Sequence, residues 1–465
     1  AGVAAGLDLE MPFSGGETDA QIVKAVQDGT LNEADLDKAV CRILRIVQKR
    51  EESLGNKTDC DLQANHDFAV KAESESAVLL ENNGLLPLRE GMKAAYIGPF
   101  AKKPRYQGGG SSHINPCKVT GAFEAALAKG RDVSYSEGFP LEDLIDEALM
   151  ESAVKAAQAA DVAVIFAGLP DSFESEGYDR LHMRLPSVQN ELIKRVTAAQ
   201  PNTVVVLHNG SPVECPWADN VASILEMYLG GEGVGEAADL LLWGEANPSG
   251  HLPESFPFKL ADNPSFLNFP GQGGKVRYGE GIYAGYRYYD AKEMPVRWAF
   301  GHGLSYTDFE YSGARVSANS MDDDTTVTVS VDVANTGSRE GKEVVMLFVS
   351  DETGTPGRPP KELKGFAKLS LKPGETKSAE MTVSAHDLTW YCEELPGWQA
   401  APGRYKLLVG RSATDIRASL DICFSTKKPG PGHLKSMDIN TSYGALLFRR
   451  KMAFALSDKR HPALF

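Results

Sequence analysis

The apolar period changes once along the chain, near residue 306, and that change limits the folds open to it. Upstream, short apolar runs such as V-A-V-I-F-A-G-L (162–169) and T-V-V-V-L-H-N-G (203–210) follow stretches of ten or more residues with helical periodicity. Strands alternating with helices, each strand apolar throughout, predict a largely parallel sheet covered on both faces, an α/β sandwich over 65–305. Downstream the period is two. T-V-T-V-S-V-D-V, V-V-M-L-F-V-S and Y-K-L-L-V-G are separated by N-T-G, K-P-G-E and A-P-G turns. About seven such strands over 306–425 predict an immunoglobulin-like or fibronectin-type β-sandwich.

Both ends of the chain stand outside these two regions. Residues 18–50 read as two helices, the first with Thr18 and Gln21 at capping-box spacing, the second capped by Asn32. Two helices in about fifty residues cannot bury a core, so 1–54 reads as the tail of a domain plus a linker. The chain opens A-G-V-A-A-G-L-D-L-E-M-P, without an initiator Met or a signal pattern, which reads as a start in mid-protein. Residues 426–465 are basic and carry K-K-P-G-P-G before a short helical pattern, a linker plus appendage.

With 465 residues and a formal charge of −15, the chain lacks the basic footprint of a nucleic-acid binder. Its apolar runs are too short to span a bilayer. Six scattered cysteines form no C-x-x-C pair and no metal cluster, which suggests buried thiols and a reducing, cytoplasmic setting.

Two Gly-rich stretches, 106–116 and 229–237, match neither phosphate-binding pattern. The second reads as a tight turn, with Glu232 and Glu236 complementing a helix dipole. In the first, Ser111, Ser112 and His113 either finish a turn or line a sugar site. His208 reads as a hydrogen-bonded histidine, and no G-x-S-x-G elbow is present. F-E-S-E-G-Y-D-R (173–180) places Glu174 and Glu176 in a loop after an apolar strand, where chemistry is usually carried. Composition alone would make them an ordinary solvated acidic loop.

The wider pattern alters that balance. E-S-E-G-Y-D-R, A-V-L-L-E-N-N-G-L-L-P-L (77–88), N-P-S-G-H-L-P-E-S-F-P (247–257), Y-G-E-G-I-Y-A-G-Y-R-Y-Y-D (278–290), F-G-H-G-L-S-Y-T (300–307) and K-E-L-K-G-F-A-K-L-S-L-K-P-G-E-T (361–376) occur in this order. Together they resemble glycoside hydrolase family 3, the three-domain β-glucosidases above all. The resemblance implies a (β/α)8-type barrel ahead of the two regions, 1–54 being its remnant. It implies retaining, exo-acting β-glycosidase chemistry on a β-glucoside or oligosaccharide, with no metal or organic cofactor. β-Xylosidase or mixed activity is an alternative, and a non-catalytic carbohydrate-binding or scaffold protein is one of another class. The family's nucleophile is the Asp of an S-D-W motif, which this sequence lacks. Asp8 and Glu10 match the barrel-end motif, where structural hydrogen bonding is implied. The general acid/base falls on Glu176, with Glu174 as fallback, kept protonated by burial and a neighbouring carboxylate. Asp179 and Arg180 are expected to form a loop-shaping ion pair.

Overall fold

The computed structural model of the chain describes residues 1–55, 60–392 and 397–427. It divides after Ala64 into two units. The first contains α1 (Glu17–Gln27) and α2 (Glu33–Ser53). Asn32 caps α2 as expected, its side-chain oxygen accepting from the Ala34 N–H at 3.0 Å. Thr18 does not cap α1, whose N-cap is Gly16; the threonine lies inside the helix and donates to Glu10 instead. Among the described residues of this unit only Leu31 and Ala39 are buried apolar side chains, while Leu44 and Ile46 are 58% and 65% exposed. Two helices alone lack the facing surface for a core. Asp8 pairs with Arg42 at 3.0 Å, and Glu10 accepts from the Ser14 hydroxyl, so both carboxylates are engaged locally.

The division falls inside α3 (Leu62–Ser76), most of which opens the second unit, followed by β1 (Val78–Asn82), β2 (Ala94–Ile97), α4 (Ala122–Ala128) and β3 (Val133–Ser136). It continues with α5 (Glu147–Gln158), β4 (Val162–Gly168), α6 (Ser187–Ala199), β5 (Thr203–His208), β6 (Ser223–Glu226), α7 (Val234–Leu242) and α8 (Tyr286–Ala291). The six strands order β1-β6-β5-β4-β2-β3, parallel except for β1, which pairs antiparallel with β6 at an edge. Along β4 the side chains alternate between two cores. Ala163, Ile165 and Ala167 meet Met150 and Leu192 on one face; Val162, Val164 and Phe166 meet Ala126 and Leu241 on the other. Burial of both faces explains the unbroken apolar run, each large side chain contributing about 1.5–3 kcal/mol. The helix α4 and strand β3 were not legible, because V-S-Y-S is short, polar and only partly buried.

The fibronectin-like region comprises β7 (Phe309–Val316), β8 (Ser320–Met321), β9 (Thr326–Asn335), β10 (Gly341–Asp351), β11 (Glu362–Leu371), β12 (Thr376–Ser384), β13 (Trp390–Cys392), β14 (Gly397–Gln399), β15 (Gly403–Gly410) and β16 (Ile416–Phe424). Sheets β11-β10-β15-β16-β8 and β12-β9-β7 face each other, with Val327, Val329, Val331 and Val333 of β9 turned inward at period two. β13 and β14 form a separate antiparallel pair. The tail expected over 426–465 lies outside the described residues beyond Lys427.

The same period explains the cysteines. Cys423 falls on the outward face of β16, and Cys41, Cys60 and Cys117 are also exposed, so the expectation of buried thiols holds for Cys392 but not for these four; Cys215 is half-buried. No helix among the described residues is long and apolar enough to cross a membrane.

N-P-S-G-H and F-G-H-G form the seam between sheet and sandwich. A Cβ on Gly250 would stand 2.0 Å from the Ser76 carbonyl oxygen, and one on Gly303 2.3 Å from that of Gly250. His302 meets the Leu80 carbonyl at 2.8 Å, and the Lys342 ammonium reaches Glu75 at 2.5 Å. Backbone cannot yield as a flexible side chain does, so Gly250→Ala should destabilise the protein by about 1–3 kcal/mol. A urea midpoint unchanged from the parent would contradict this seam.

Candidate active site

Parallel strands β2, β4 and β5 end side by side, and their following loops meet at one edge of the sheet. From β4 the chain proceeds to β5 on one side, while β2 leads to β3 on the other, which is the arrangement that opens a crevice at strand carboxyl ends. Glycine makes the convergence possible. A Cβ on Gly98 would lie 2.3 Å from the Phe166 carbonyl oxygen, and one on Gly168 2.0 Å from that of His208. The buried Gln189 amide holds Gly168 from both sides, accepting from its N–H at 2.9 Å and donating to its carbonyl at 2.8 Å.

Into this crevice the three loops send one charged clasp. Arg105, from the loop after β2, is 6% exposed. Its Nη1 donates to Glu174 Oε2 at 2.7 Å, its Nη2 to the Glu174 carbonyl at 2.7 Å, and its Nε to Asp171 at 3.2 Å. Glu174 also accepts from the Gly210 N–H at 2.7 Å and from the Ser211 hydroxyl in the loop after β5. Burial alone would raise its pKa, but the bonds from Ser211, Gly210 and Arg105 outweigh it and leave the carboxyl below the ordinary glutamate value. Three protein donors thus hold this half-buried carboxylate.

Glu176, two residues on, is exposed. Its Oε2 accepts from the Ser111 backbone N–H at 2.6 Å, and hydrogen bonding to Ser111 holds its carboxyl below the ordinary value. The protonating burial expected for it is not found within this chain, where solvent reaches the carboxylate. The first Gly-rich stretch explains the contact. A Cβ on Gly109 would stand 2.3 Å from Ser175 Oγ, and one on Gly110 2.6 Å from Glu176 Cβ, so the two loops touch backbone to side chain. Ser111 meets Glu176 through its amide; the Ser112 hydroxyl donates to Gly109 O at 3.3 Å, and the exposed His113 ring lies 3.9 Å from Asp171. The structure therefore brings Glu174, Glu176 and Ser111 together, while Ser112 and His113 flank them.

Three expectations change. The Asp179–Arg180 ion pair does not form. Arg180 turns inward to donate to Ser211 Oγ at 2.9 Å and Pro212 O at 3.0 Å, because the half-buried guanidinium finds the β5 loop beneath it. His208 is not hydrogen-bonded: both ring nitrogens are buried without partners between Phe166 and Phe100, and burial pushes its pKa down to about 4. In the second Gly-rich stretch only Gly231 has a positive φ (72°), whereas Gly230, Gly233 and Gly235 are glycine because Glu73, Val70 and Thr120 press against them. Glu232 and Glu236 flank the buried His66 at 3.1 and 3.2 Å. No group of three His, Cys, Asp or Glu side chains among the described residues is placed to hold a metal ion.

Arg105 and Ser211 were not singled out from sequence, and their only signal was position, each in a loop after a strand. Beneath the clasp lies a second acidic layer. Glu226 is fully buried, accepting from Asn209 at 2.9 Å and Tyr228 N at 2.8 Å, and burial raises its pKa well above the ordinary value. Burial likewise pushes Glu254 up to about 7.

Residues 77–306 match the glycosyl hydrolase family 3 C-terminal domain, and residues 343–413 a fibronectin type III-like domain. The α/β region is a family 3 C-terminal domain. The chain is 50% identical over 420 residues to thermostable beta-glucosidase B of Acetivibrio thermocellus, covering 89% of this chain and 56% of that protein. It is 39% identical over 457 residues to an exo-alpha-(1->6)-L-arabinopyranosidase of Bifidobacterium longum, covering 96% and 59%. The crystal structure of a family 3 beta-glucosidase from Bifidobacterium adolescentis superposes with a TM-score of 0.86 at 38% identity, over 95% of this chain and 64% of that one. The chain thus spans under two thirds of these relatives and corresponds to their C-terminal portion.

Two substitutions test the family 3 domain's clasp. Arg105→Met leaves the half-buried Glu174 without its cation and should cost about 1–3 kcal/mol, whereas Asp179→Asn should be near neutral. Equal urea midpoints for the two variants would overturn the clasp. Gly110→Ala should push Glu176 away from Ser111 and bring its lowered pKa back up toward the ordinary glutamate value, followed by carboxyl 13C titration. An unchanged titration would show that Gly110 does not set that contact.

Proposed function

We propose that the chain is the acid/base-bearing part of a retaining, exo-acting β-glucosidase that hydrolyses terminal non-reducing β-D-glucosyl residues. The observation that carries this reading is the unequal state of two neighbouring carboxylates. Glu174 is half-buried and held by Arg105, Gly210 and Ser211, while Glu176 is exposed and bonded to Ser111. A group that passes protons to substrate must be reachable, and Glu176 is the reachable one.

In this reading a nucleophilic Asp attacks the anomeric carbon while Glu176 gives its proton to the departing oxygen. Glu176 then takes a proton from the water that releases the sugar, the two carboxyls standing about 5–5.5 Å apart. The 465 residues contain no S-D-W, so the nucleophile is assigned to a part of the enzyme they do not include. The exposed, ionised state of Glu176 suits the second step. The first step needs the proton retained, which desolvation by bound substrate and the nucleophile's negative charge would supply in the assembled site. The acidic surface suits a neutral sugar, and the reaction draws on no cofactor.

The relatives divide over the sugar, since one is named an arabinopyranosidase. Aryl β-glucoside, β-xyloside and α-L-arabinopyranoside assayed side by side should favour the glucoside. A reversed order would replace the sugar and leave the acid/base assignment intact.

The chain by itself should show no turnover of an aryl β-glucoside, because proton transfer alone supplies only about 10²–10⁴ of the acceleration. A rate of roughly 1 s⁻¹ or more would reveal a nucleophile within it. In an enzyme that includes the nucleophile, Glu176→Ala should lower kcat/KM severely for cellobiose but far less for a dinitrophenyl glucoside, whose leaving group needs no proton. Equal losses on both substrates would count against proton donation by Glu176.

A further inference from the structure

Among its described residues the fibronectin-like region exposes a tryptophan on the paired strands β13 and β14. Of the five tryptophans, Trp217, Trp243 and Trp298 are buried, and the ring of Trp390 lies under the Arg358 guanidinium at 5.9 Å. Trp398 is 63% exposed, unusual for the largest apolar side chain in a folded protein. It stands opposite Tyr391 across the β13–β14 pair, so the two rings share a face, and Tyr391 is 54% exposed. His386 and Tyr391 touch Trp398 edge-on, with centroids 5.9 Å away in each case.

Two cavities adjoin this ring. One, of about 690 Å³, is lined by Trp398 and Tyr391 with Arg287, Lys364 and Asp387; the other, of about 280 Å³, is lined by Trp398 and His386. The larger has the volume of a small-ligand site. Its polar groups retain unused capacity. Arg287 meets the Ile282 carbonyl at 3.5 Å and the Tyr286 hydroxyl, two of its five N–H donors at most, Lys364 lies 3.9 Å from Glu362, and Asp387 spends one carboxylate oxygen, Oδ2, on the Ser384 cap.

We propose that the paired strands β13 and β14 and the cavity beside Trp398 form an accessory saccharide-binding site, separate from the Glu176 crevice, that takes a β-linked glucose oligosaccharide. A pyranose ring has an apolar face of C–H groups and a rim of hydroxyls. The electron-rich face of an exposed indole attracts the former, and the unspent donors and acceptor of Arg287, Lys364 and Asp387 suit the latter. An aromatic-lined groove could also hold a proline-rich peptide. Vicinal hydroxyls match the closely spaced charged groups better than a peptide backbone does. The choice of glucose units rests on the β-glucosidase reading; the site itself does not.

The test is tryptophan fluorescence of the full chain titrated with cellotetraose, with its thermal midpoint monitored. A saturable change is expected, weakened at least about tenfold by Trp398→Ala, partly restored by Trp398→Tyr and unaltered by Glu176→Gln. Because Trp398 is exposed, its variants should keep the parent midpoint. Absence of any saturable change, or a change lost in Glu176→Gln and kept in Trp398→Ala, would overturn the site without touching the glycosidase reading. Saturation by a proline-rich decapeptide and not by cellotetraose would overturn it in favour of a peptide groove.

Discussion

The pairing of buried Arg105 with half-buried Glu174 is the interaction on which the geometry of the crevice depends. Taking two charges out of water costs several kcal/mol per ion, and only good geometry with further hydrogen bonds offsets it. Here Arg105 bonds to carboxylate, carbonyl and Asp171 together, while Gly210 and Ser211 add two further bonds to the carboxylate. The result is one fixed point shared by loops that follow β2, β4 and β5. Glu176, two residues further, inherits that position without being consumed by it.

Close approach by glycine is the second constraint. Gly98 and Gly168 let strand ends draw together, Gly109 and Gly110 let one loop lie on another, and Gly250 and Gly303 let the sheet meet the sandwich. Each works by the absence of a Cβ where another residue's atoms already stand. Such positions read in sequence as loop glycines of no evident purpose. Their partners come from distant segments, so spacing could not identify them.

Much of the architecture was nevertheless legible. The unbroken apolar run of β4 and the period two of β9 each follow from which faces are buried, and both regions take the form that the periods implied. The pair Glu174 and Glu176 was also visible as a loop after a strand, with Glu176 favoured on resemblance. What separates the two carboxylates was not visible, because Arg105 lies 69 residues before Glu174 and Ser211 37 after it. The inward turn of Arg180 and the unpartnered ring of His208 escaped for the same reason: local pattern carries no information on which loops share an edge.

The central claim is that the exposed member of this pair, not the clasped one, exchanges protons with substrate. Azide tests it most directly, since a small anion can fill the space of a deleted base and attack the glycosyl intermediate without deprotonation. In an enzyme that includes the nucleophile, Glu176→Ala should be reactivated by azide and release β-glucosyl azide, while Glu174→Ala should release glucose alone. β-Glucosyl azide formed by Glu174→Ala, with none from Glu176→Ala, would contradict the account.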